Sequence, residues 1–584
     1  MKNVEIIRIF REIAYLIQIA ENDPNTIYKV RAYERAADVI ENMSTELEEI
    51  YSKSGIKGLR KIPSIGNAIS SKIEEFIKLH KIAYHEELTT KVPINISEFY
   101  NLRGIGPMTL KILYEKLKIT SISQLEKAAS EGSIKRIKGF SKMKEDNIMK
   151  MIQLSKQNKG RYLLGDVYPL IKKIESRLRT EDGIIHCAIV GSFRRMKETI
   201  GDIDILVSTK EPEKVINFFV KMPEVAEIKG KGKTKAFVEL GNGIGVDLLV
   251  VPEESFGSAS QYFTGNKEHN ISLRNLAVSM GFHLNEWGLF TKKKRKIAGT
   301  NEQQIYNKLH LPLIPPELRE NRGEIEYFSN NQNEILGLVN YGDLTGDLHT
   351  HSDITDGTMS IKDMALQAKN KFGLDYIAIT DHTKSLRLAN GLNEKQLLEQ
   401  INKIQQLNDV INESKADTRF RIFSSAEVNI LKDGTPDIVN NVLDKLDIVG
   451  ASIHSHFSLS KDIQTERLVE AAKNPSIDIL FHPTGRLINK RTGYSIDVEK
   501  IINTAYETKT VLEINSNYNR LDLRDEHIRL AVQNGVKLAI NSDAHHPVHF
   551  AYLLFGIGQA RRGWAKKLDI INTLKADTLL KVLK

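Results

Sequence analysis

Hydrophobic residues recur at helical spacing through the first quarter of the chain, up to about residue 155. The apolar residues on one face of the first predicted helix are Ile6, Phe10, Ile13, Ala14 and Ile17. From about residue 156, helical and strand-like patterns alternate, and residues 184–190 form an apolar run typical of a buried strand. Beyond about residue 342, helical stretches separate short apolar runs, which predicts a parallel β/α barrel.

The helical region repeats one unit three times: a helix, a tight turn and a second helix. The three stretches cover residues 59–77, 101–117 and 134–148. In such a hairpin the glycines, here Gly66, Gly104 and Gly106, let the backbone approach a phosphate, and the second helix presents its N-terminal N–H groups to the anion. Ser64 and Ser141 stand where a hairpin glycine is usual. Three copies among lysines predict DNA binding that depends on shape and charge rather than on base sequence.

Two aspartates follow the apolar run 184–190, within a second strand-like segment. Asp202 and Asp204 alternate with Ile203 and Ile205, so the strand period of two places both carboxylates on one face. Carboxylates held this close repel each other, and a divalent cation relieves the repulsion. Mg²⁺ binds through such carboxylates together with substrate phosphates. An exposed strand with alternating acids is the simpler alternative, but the turn before the strand favours a metal site.

That turn begins with Gly191 and Ser192, which offer backbone N–H groups and a hydroxyl, and Arg194 or Arg195 offers a cation to hold phosphates. A Gly-Ser turn followed by Gly-x-Asp-x-Asp resembles the nucleotidyltransferase superfamily. The longer sequence GSFRR…GDIDIL, residues 191–206, is similar to the family X DNA polymerases, the group that includes DNA polymerase beta. We predict that Gly191, Ser192 and Arg195 bind a nucleotide.

The resemblance implies a two-metal polymerase site. Its catalytic and metal-binding carboxylates would be Asp202, Asp204 and Asp247. Two cations there would activate the primer 3′-hydroxyl and stabilise the leaving pyrophosphate. We expect Mg²⁺ or Mn²⁺ at this all-oxygen site. The chain departs from the family pattern at Gly245, where many members carry a basic residue two positions before the third carboxylate.

A turn and a helix further along match the family's nucleotide-binding segment. The resemblance assigns Tyr262, Phe263 and Gly265 to the turn that senses the sugar, where backbone and an aromatic edge crowd the ribose 2′ position. Asn270 and Arg274 are four residues apart, so they share one helix face. The resemblance implies that both contact the nascent base pair and the template.

The first part of the chain looks like the small N-terminal domain of this family, which in some members is a deoxyribose-phosphate lyase. Lys72 falls at the position of the lysine that forms the Schiff base there, and such a lysine needs a lowered pKa. Ala68 stands where a basic neighbour helps in the lyase-active members. We therefore expect Lys72 to bind DNA phosphate, and lyase activity stays open.

In the C-terminal part of the chain, successive apolar runs each end in a residue type that can bind a metal ion. His349 and His351 alternate on one predicted strand face, and Asp356 follows in a turn that contains glycine. The later runs end in Asp381-His382, Glu427, His454, His482 and Asp543-Ala544-His545. Parallel β/α barrels keep their active sites at the C-terminal ends of the strands. Six of the sixteen histidines in such places predict a metal cluster.

These strand ends, with GDLHTHSDITDG at 346–357, resemble the PHP (polymerase and histidinol phosphatase) domain over nearly all of residues 342–584. The family holds up to three Zn²⁺, Mn²⁺ or Fe ions, and the mixed ligand set does not choose among them. The nine ligands carry over as His349, His351, Asp356, His382, Glu427, His454, His482, Asp543 and His545. Glu427 would bridge the ions, and Asp353 is a rival for the role of Asp356.

Two groups of arginines lie near these motifs. Arg486, in the sequence HPTGR, and Arg520 are candidates to hold a substrate phosphate. Residues 561–564, Arg-Arg-Gly-Trp, are similar to a tail stretch of bacterial and archaeal members, where we expect a structural role. The metal cluster itself would lower the pKa of a bound water and hold a phosphoester.

The composition shows a positive net charge and indicates a reducing environment. The 584 residues carry a formal net charge of +9 and a pI of about 9.0, which suits a polyanionic partner. Cys187 is the single cysteine, so a disulfide framework is excluded. The sequence has no signal peptide and no apolar run of transmembrane length, so we predict a cytoplasmic protein.

Together these features predict a multidomain protein. It would combine a helical helix-hairpin-helix N-terminal region, an α+β nucleotidyltransferase palm and thumb like those of polymerase beta, and a C-terminal distorted β/α barrel of the PHP type. The predicted boundaries are 1–85 for a helical, lyase-like DNA-binding domain, 86–155 for a helix-hairpin-helix fingers-like domain, 156–255 for the palm, 256–322 for the thumb, 323–341 for a linker and 342–584 for the PHP domain.

This order of domains is that of the bacterial and archaeal family X DNA polymerases. We therefore predict a DNA-directed DNA polymerase that fills short gaps in base-excision repair, with a metal-dependent 3′–5′ exonuclease in its PHP domain and abasic-site cleavage as a further activity. Its expected partners are gapped or nicked DNA and deoxynucleoside triphosphates, and we expect a monomer with no membrane partner. Two alternatives stay open. One is a PHP nuclease whose polymerase core is kept mainly for DNA binding, and the other is a small-molecule phosphatase of the histidinol-phosphate type, which the helical hairpins disfavour.

Overall fold

The computed structural model of the chain describes residues 2–21, 23, 26–41, 46–62, 64–99, 105–157, 160–412 and 420–583. The chain forms two compact units, one from 1–159 with 489–491 and the other from 160–488 with 492–584. The polymerase-like region and the barrel therefore belong to one unit. Within the described ranges, no helix has both the length and the apolar character needed to cross a membrane.

The first unit is helical, as the periodicity predicts. Its helices are α1 (Lys2–Ala20), α2 (Thr26–Glu41), α3 (Leu47–Leu59), α4 (Asn67–Leu79), α5 (Ala83–Lys91), α6 (Ile96–Phe99), α7 (Pro107–Leu117), α8 (Ile122–Ser130) and α9 (Lys142–Gln157). Their apolar faces bury one core that includes Phe10, Phe76 and Phe99. Gly66 and Gly106 are the residues immediately before α4 and α7. Gly104 lies outside the described residues.

The second unit opens with the palm. Its elements are β1 (Tyr162–Leu163), α10 (Leu164–Thr180), β2 (Ile184–Ile189), α11 (Gly191–Arg194), β3 (Thr199–Ile200), β4 (Asp202–Thr209), α12 (Pro212–Val220), β5 (Val225–Lys231), β6 (Lys235–Leu240) and β7 (Gly245–Val251). Five strands pair in the order β2-β4-β7-β6-β5, with β4 and β7 parallel and the other neighbours antiparallel. Helices α10 and α12 contribute Ile171 and Phe219 to its core.

The thumb follows and includes a segment that the sequence predicted as a linker. Its elements are α13 (Phe256–Thr264), α14 (Lys267–Ser279), β8 (Phe282–Asn285), β9 (Gly288–Thr291), β10 (Lys296–Ala298), α15 (Glu302–Lys308) and α16 (Glu324–Asn330). In the stretch 323–341, α16 buries Phe328 in the thumb core, and Glu324 hydrogen-bonds His269 at 2.6 Å. Residues 330–333 are exposed. The polar residues that favoured a linker are thus the solvent side of a folded segment.

The last part is a nearly closed barrel of parallel strands, so the predicted β/α barrel is confirmed. Its elements are β11 (Gly346–Thr350), α17 (Ile361–Phe372), β12 (Tyr376–Ile379), α18 (Glu394–Asn412), β13 (Arg421–Asn429), α19 (Asn440–Leu443), β14 (Ile448–Ser452), α20 (Lys461–Lys473), β15 (Ile479–Leu480), α21 (Val498–Thr508), β16 (Val511–Asn515), α22 (Asp525–Gln533), β17 (Leu538–Asn541), α23 (Leu553–Arg562) and α24 (Ala576–Leu579). The strands pair in chain order, and Thr350 bridges to Ala544 just after the last strand.

Candidate active sites

Three aspartates lie on two neighbouring strands of the palm. Asp204 of β4 and Asp247 of β7 are partners in the parallel register, and Asp202 is paired with Gly245. Ile203, between the first two aspartates, is fully buried in the palm core. Parallel pairing of β4 with β7 therefore brings together carboxylates that are far apart in the sequence.

Burial and like charge both act on Asp204. Burial is the larger cause, the carboxylates of Asp202 and Asp247 follow, and together they raise the pKa of Asp204 to about 6. A divalent cation between the carboxylates would remove this repulsion. Carboxylate oxygens are also the protein ligands that Mg²⁺ prefers. The chemistry of the three aspartates therefore suits hard divalent cations, although they are not among the described groups whose ligand atoms all lie within 4.8 Å of one another.

The Gly-Ser turn packs directly against these carboxylates. Gly191 has a φ of 66°, in the left-handed region that favours glycine. A Cβ at this position would lie 2.5 Å from Oδ2 of Asp204. The backbone N–H of Lys197 donates to the carbonyl of Ser192 at 3.1 Å, which closes the turn. The backbone conformation therefore favours glycine at position 191, and any side chain there would have to displace the carboxylate of Asp204.

Lys235 is a residue of this site that the sequence did not single out. It lies on β6, and its Nζ is 2.9 Å from Oδ1 of Asp247 on the adjacent β7. A Cβ on Gly245 would lie 2.9 Å from the ring of Phe237, which fills the space beside the glycine. A cation from the neighbouring strand thus lies beside Asp247, although the family's usual basic residue at position 245 is missing. Cross-strand pairing places it there, and no local motif marks it.

The two arginines of the turn have different partners. Arg194 forms a two-point ion pair with Glu302, at 2.6 and 3.0 Å. Arg195 pairs through Nε with Glu320 at 2.9 Å and donates to the carbonyl of Thr264. Arg194 is therefore occupied by its ion pair with the thumb. Arg195, the predicted nucleotide contact, is thus paired with a carboxylate that would compete with a phosphate for its guanidinium group.

The predicted sugar-sensing turn ends helix α13. The rings of Tyr262 and Phe263 meet edge to face with their centroids 5.2 Å apart, and Gly265 ends the helix with a φ of 68°. Nδ2 of Asn270 donates to the carbonyl of Tyr262 at 2.7 Å, and Nε of Arg274 donates to the carbonyl of Asn270 at 3.3 Å. The helix that follows thus holds the turn in place through Asn270.

The N-terminal unit carries the candidate DNA contacts. Gly66 and Gly106 are exposed, and no atom lies within 4 Å of a Cβ built on either. Ser64 has a φ of 62°, so it adopts the left-handed conformation that a hairpin glycine usually supplies. Nζ of Lys72 lies over the ring of Tyr84, 4.7 Å from its centroid. The ring face of Tyr84 attracts the ammonium group of Lys72 and so helps to fix its position.

The predicted ligands of the barrel surround one buried carboxylate at the end of β13. Oε2 of Glu427 lies 3.4, 3.6 and 3.0 Å from ring nitrogens of His349, His351 and His382, respectively. Its Oε1 lies 3.3 and 2.9 Å from Nε2 of His454 and His482, respectively. The two oxygens of Glu427 therefore lie close to five of the predicted histidine ligands, which is consistent with the bridging role that the resemblance implies.

Two further carboxylates complete the cluster. Oδ2 of Asp356 lies 3.4 Å from Nε2 of His382 and 3.3 Å from Nε2 of His545. Oδ1 of Asp543 lies 3.4 Å from Nε2 of His351. Each of the nine predicted ligands thus contacts at least one other member of the set.

The donor atoms of this cluster fit metal ions. Three groups have ligand atoms that all lie within 4.8 Å of one another, namely His351-Asp356-His382-His545, His349-His351-Asp543 and His382-Glu427-His454. Nε2 of His349 and both ring nitrogens of His351 are buried without a hydrogen-bond partner in the described part of the chain. A buried polar atom left unpaired costs free energy, and a coordinated metal ion would remove that cost.

The protonation states of two ligands, His351 and Glu427, suit coordination, whereas neighbouring carboxylates outweigh burial and raise the pKa of His349, His382 and His545 in the absence of a metal ion. Burial and the neighbouring rings of His545 and His382 lower the pKa of His351 to about 3, so its imidazole is neutral. Burial alone would raise the pKa of Glu427, but His382, His454 and His349 outweigh it and hold the pKa well below 4.5. Neutral imidazole and ionised carboxylate are the forms that bind metals.

Glu513, in the middle of strand β16, is a further residue that the sequence analysis missed. Its Oε1 accepts hydrogen bonds from Nδ1 of His349 at 2.7 Å and from Asn541 at 3.0 Å, and its Oε2 accepts from the backbone N–H of His482 at 2.7 Å. A carboxylate behind a metal-binding histidine fixes the tautomer and orientation of the ring. A signal was present, because the acid interrupts the apolar run VLEIN.

The two arginines predicted to hold substrate phosphate are placed differently. Arg486 pairs with Glu198 of the palm at 2.8 Å and donates to the carbonyl of Leu521. Nε of Arg520 lies 3.7 Å from Oδ2 of Asp543, at the edge of the cluster. Arg486 is thus occupied in packing the barrel against the palm, and of the two Arg520 is the one beside the ligands.

Three sequence profiles match the chain. They are the helix-hairpin-helix domain at residues 1–82, the DNA polymerase beta palm at 166–231 and the DNA polymerase beta thumb at 259–320. The palm match contains Asp202 and Asp204, and the thumb match contains the turn that begins at Tyr262.

Relatives match both halves of the chain. It is 35% identical over 575 residues to the DNA polymerase/3′-5′ exonuclease PolX of Bacillus subtilis, which covers 98% of this chain and 97% of that protein. It is 26% identical over 322 residues to DNA polymerase lambda of Arabidopsis thaliana, covering 49% and 57%. In the C-terminal region it is 35% identical over 215 residues to a probable phosphatase of Thermoanaerobacter sp., covering 34% and 78%.

Proposed function

The chain belongs to the family X DNA polymerases that carry a C-terminal PHP domain, and from this we propose that it extends DNA primers across short gaps in base-excision repair. Membership of this family implies binding of DNA and deoxynucleoside triphosphates and the use of divalent metal ions. The second activity that we propose is 3′–5′ exonucleolytic cleavage in the PHP domain.

One observation carries the polymerase proposal. Asp204 lies opposite Asp247 on parallel strands, and the turn at Gly191 packs against the same carboxylate. A core kept mainly for DNA binding does not need a backbone turn so close to a carboxylate that a side chain in the turn would displace it. The geometry therefore favours polymerisation over that alternative.

In the proposed reaction, Asp202, Asp204 and Asp247 hold Mg²⁺ or Mn²⁺. Such ions supply activation of the primer hydroxyl and neutralise charge on the leaving pyrophosphate. The backbone N–H groups at Gly191 and Ser192 orient the triphosphate. Arg195 exchanges Glu320 for a phosphate oxygen when the nucleotide binds.

The segment after the palm completes the nucleotide site in this proposal. Tyr262, Phe263 and Gly265 crowd the ribose 2′ position and so favour deoxynucleotides. Asn270 fixes the carbonyl of Tyr262, which keeps the turn from relaxing away from a 2′-hydroxyl. Arg274 reaches the template side of the nascent pair.

The PHP site takes a 3′ end. Its nine ligands, His349, His351, Asp356, His382, Glu427, His454, His482, Asp543 and His545, would bind up to three ions of Mn²⁺, Zn²⁺ or Fe. Such ions lower the pKa of water and neutralise a phosphodiester. Arg520, beside Asp543, would hold the scissile phosphate.

The remaining parts of the proposal concern DNA and context. The hairpin glycines Gly66, Gly104 and Gly106, with Lys72, would contact the phosphates of gapped or nicked DNA. The domain boundaries predicted from the sequence belong to this proposal, except that residues 323–341 fold with the thumb instead of forming a linker. A monomeric state and a cytoplasmic location belong to it as well.

A gap-filling assay tests the proposal. The intact protein, with Mg²⁺ or Mn²⁺ and one nucleotide at a time, is expected to add the templated deoxynucleotide to a primer at a short gap. Asp202→Ala with Asp204→Ala is expected to abolish the addition. A protein that degrades the primer but adds no nucleotide with either metal would support the alternative of a nuclease with an inactive polymerase core.

A further inference from the structure

The last turn of barrel helix α23 carries two consecutive arginines that are almost fully buried, Arg561 and Arg562. Nη1 of Arg562 donates to the backbone carbonyl of Arg195 at 2.9 Å and to Oε1 of Glu320 at 3.0 Å. Its Nη2 donates to Oδ2 of Asp525, within the barrel, at 2.6 Å. Arg562 therefore connects the barrel directly to the turn that begins at Gly191.

The contact at Glu320 is shared between two arginines. The same Oε1 that accepts from Arg562 also accepts from Nε of Arg195, at 2.9 Å, and Oε2 lies 3.5 Å from Nζ of Lys197. Burial would raise the pKa of Glu320, but Arg562, Lys197 and Arg195 outweigh it and lower the pKa. Glu320 is thus an anion that competes with any phosphate for the guanidinium of Arg195.

Apolar packing joins the same two regions. A Cβ on Gly558 of α23 would lie 2.8 Å from Met196, which follows the two arginines of the turn. Leu521 and Phe555 of the barrel belong to the same buried cluster as Phe193 of the turn. The turn therefore rests on the barrel through side chains as well as through Arg562.

We propose that Arg562 of the barrel is a positioning residue for the polymerase reaction, because it holds the Arg195 backbone in place and shares the charge of Glu320. This inference rests on the proposed function, in which Arg195 contacts the triphosphate. Without Arg562, only Arg195 and Lys197 would balance the negative charge of Glu320. Arg195 would then exchange Glu320 for a phosphate less readily. The PHP barrel would then be part of the nucleotide site as well as a separate nuclease.

Arg561 provides a matched control for an effect of interface stability. It lies next to Arg562 on the same helix, pairs with Glu317 at 3.0 Å and donates to the carbonyl of Val339 at 2.7 Å. It has the same buried setting and also joins the barrel to the polymerase region. None of the contacts described for it involves Arg195 or Glu320.

The test is nucleotide insertion kinetics in the full-length protein on a single-nucleotide gap, with a phosphorothioate at the primer terminus to resist degradation. Arg562→Met is expected to raise the nucleotide KM roughly tenfold, with a smaller change in kcat. Arg562→Lys, which keeps the charge, is expected to restore part of the loss. Arg561→Met is expected to leave the KM unchanged. Arg195→Met with Arg562→Met is expected to lose less than the two single losses combined, because the part of the effect that acts through Glu320 on the Arg195 guanidinium is already gone.

The outcomes separate this inference from the proposed function. If Arg195→Met raises the nucleotide KM and Arg562→Met does not, the positioning role is wrong and the proposed role of Arg195 stands. If Arg195→Met leaves the KM unchanged, the proposed role of Arg195 itself is wrong. Equal losses in the Arg561 and Arg562 variants, or additive losses with Arg195→Met, would also overturn the inference. Arg562→Lys carries the same comparison if Arg562→Met does not fold.

Discussion

The carboxylate of Glu302 lies between two guanidinium groups, at 2.6 Å from both Arg194 and Arg319. Burial alone would raise its pKa, but Arg319 and Arg194 outweigh it and lower the pKa of Glu302 to about 2. A carboxyl whose pKa is lower in the folded state stabilises that state above its unfolded pKa, here 4.5. The contribution is lost as the pH falls from about 4.5 through about 2.

Glu302→Gln should remove that pH-dependent contribution. We expect the variant to be less stable than the wild type at pH 7 by on the order of 2 kcal/mol, because fully buried Arg319 loses its charged partner. The gap should narrow as the pH falls below about 4.5. Urea unfolding over a pH series measures it, with Glu213→Gln at the exposed ion pair with Lys233 as the control. A gap that stays constant with pH would show that Glu302 is not the titrating group.

Glu513 should act on metal affinity through His349. We expect Glu513→Gln to weaken metal binding at the PHP site by roughly 10- to 100-fold, since the His349 ring loses the carboxylate that orients it. Primer degradation should fall and be restored by excess metal, while primer extension stays unchanged. Titration of the metal-free protein with Mn²⁺ measures the affinity directly. An unchanged affinity would mean that His349 is oriented by its other neighbours.

At the residue scale, the sequence identified the functional residues that belong to a local pattern. It did not identify those whose partner lies on another strand. Histidines that end apolar runs were visible as metal-ligand candidates. Lys235 reaches Asp247 from a neighbouring strand, and Glu513 reaches His349 across the barrel. Such contacts depend on the register of the sheet, which cannot be read from any single stretch of the sequence.

Among the elements, the turn from β2 into α11 lies closest to the carboxylates proposed for the polymerase reaction. Gly191→Ala would place a Cβ 2.5 Å from Oδ2 of Asp204 and force a positive φ on alanine, at a cost of about 1–2 kcal/mol for the φ alone. We expect primer extension to fall by more than about tenfold, the factor for each 1.4 kcal/mol of barrier, with primer degradation retained.

Gly230→Ala is the matched control, since that glycine lies on β5 of the same sheet with no atom within 4 Å of a Cβ. It should leave both reactions unchanged. Comparable extension by the Gly191 variant and the control would mean that the turn tolerates a side chain and that its close approach to Asp204 has no functional role.

Element types were predictable where apolar spacing is regular, and less so where polar residues cover a folded segment. The barrel strands and the N-terminal helices followed from periodicity. The polar run that ends α16 predicted a linker, yet Phe328 on that helix packs on Trp564 with ring centroids 5.3 Å apart. Trp564, the partly buried partner, comes from the far end of the chain, so composition near α16 could not reveal it.

Over the whole molecule, two proposed sets of metal ligands occur in one chain and differ in chemistry. The palm set is all oxygen, and Asp202 within it is exposed. The barrel set is rich in imidazole and mostly buried, with Asp356 exposed. The order of domains was readable from motifs, whereas the packing of the barrel on the palm through Arg562 and Arg486 was not, because each contact joins distant segments.

The central claim is that these two sites carry two separate reactions, and one paired measurement tests it most directly. Asp202→Ala with Asp204→Ala, and His349→Ala with His351→Ala, are compared with the intact protein for extension and 3′–5′ degradation of one gapped substrate, with metal content measured on each. We predict that the aspartate variant loses extension and keeps degradation, and that the histidine variant keeps extension and loses degradation and bound metal. A histidine variant with full nuclease activity and full metal content would contradict the barrel site, and loss of both reactions in both folded variants would contradict their separation.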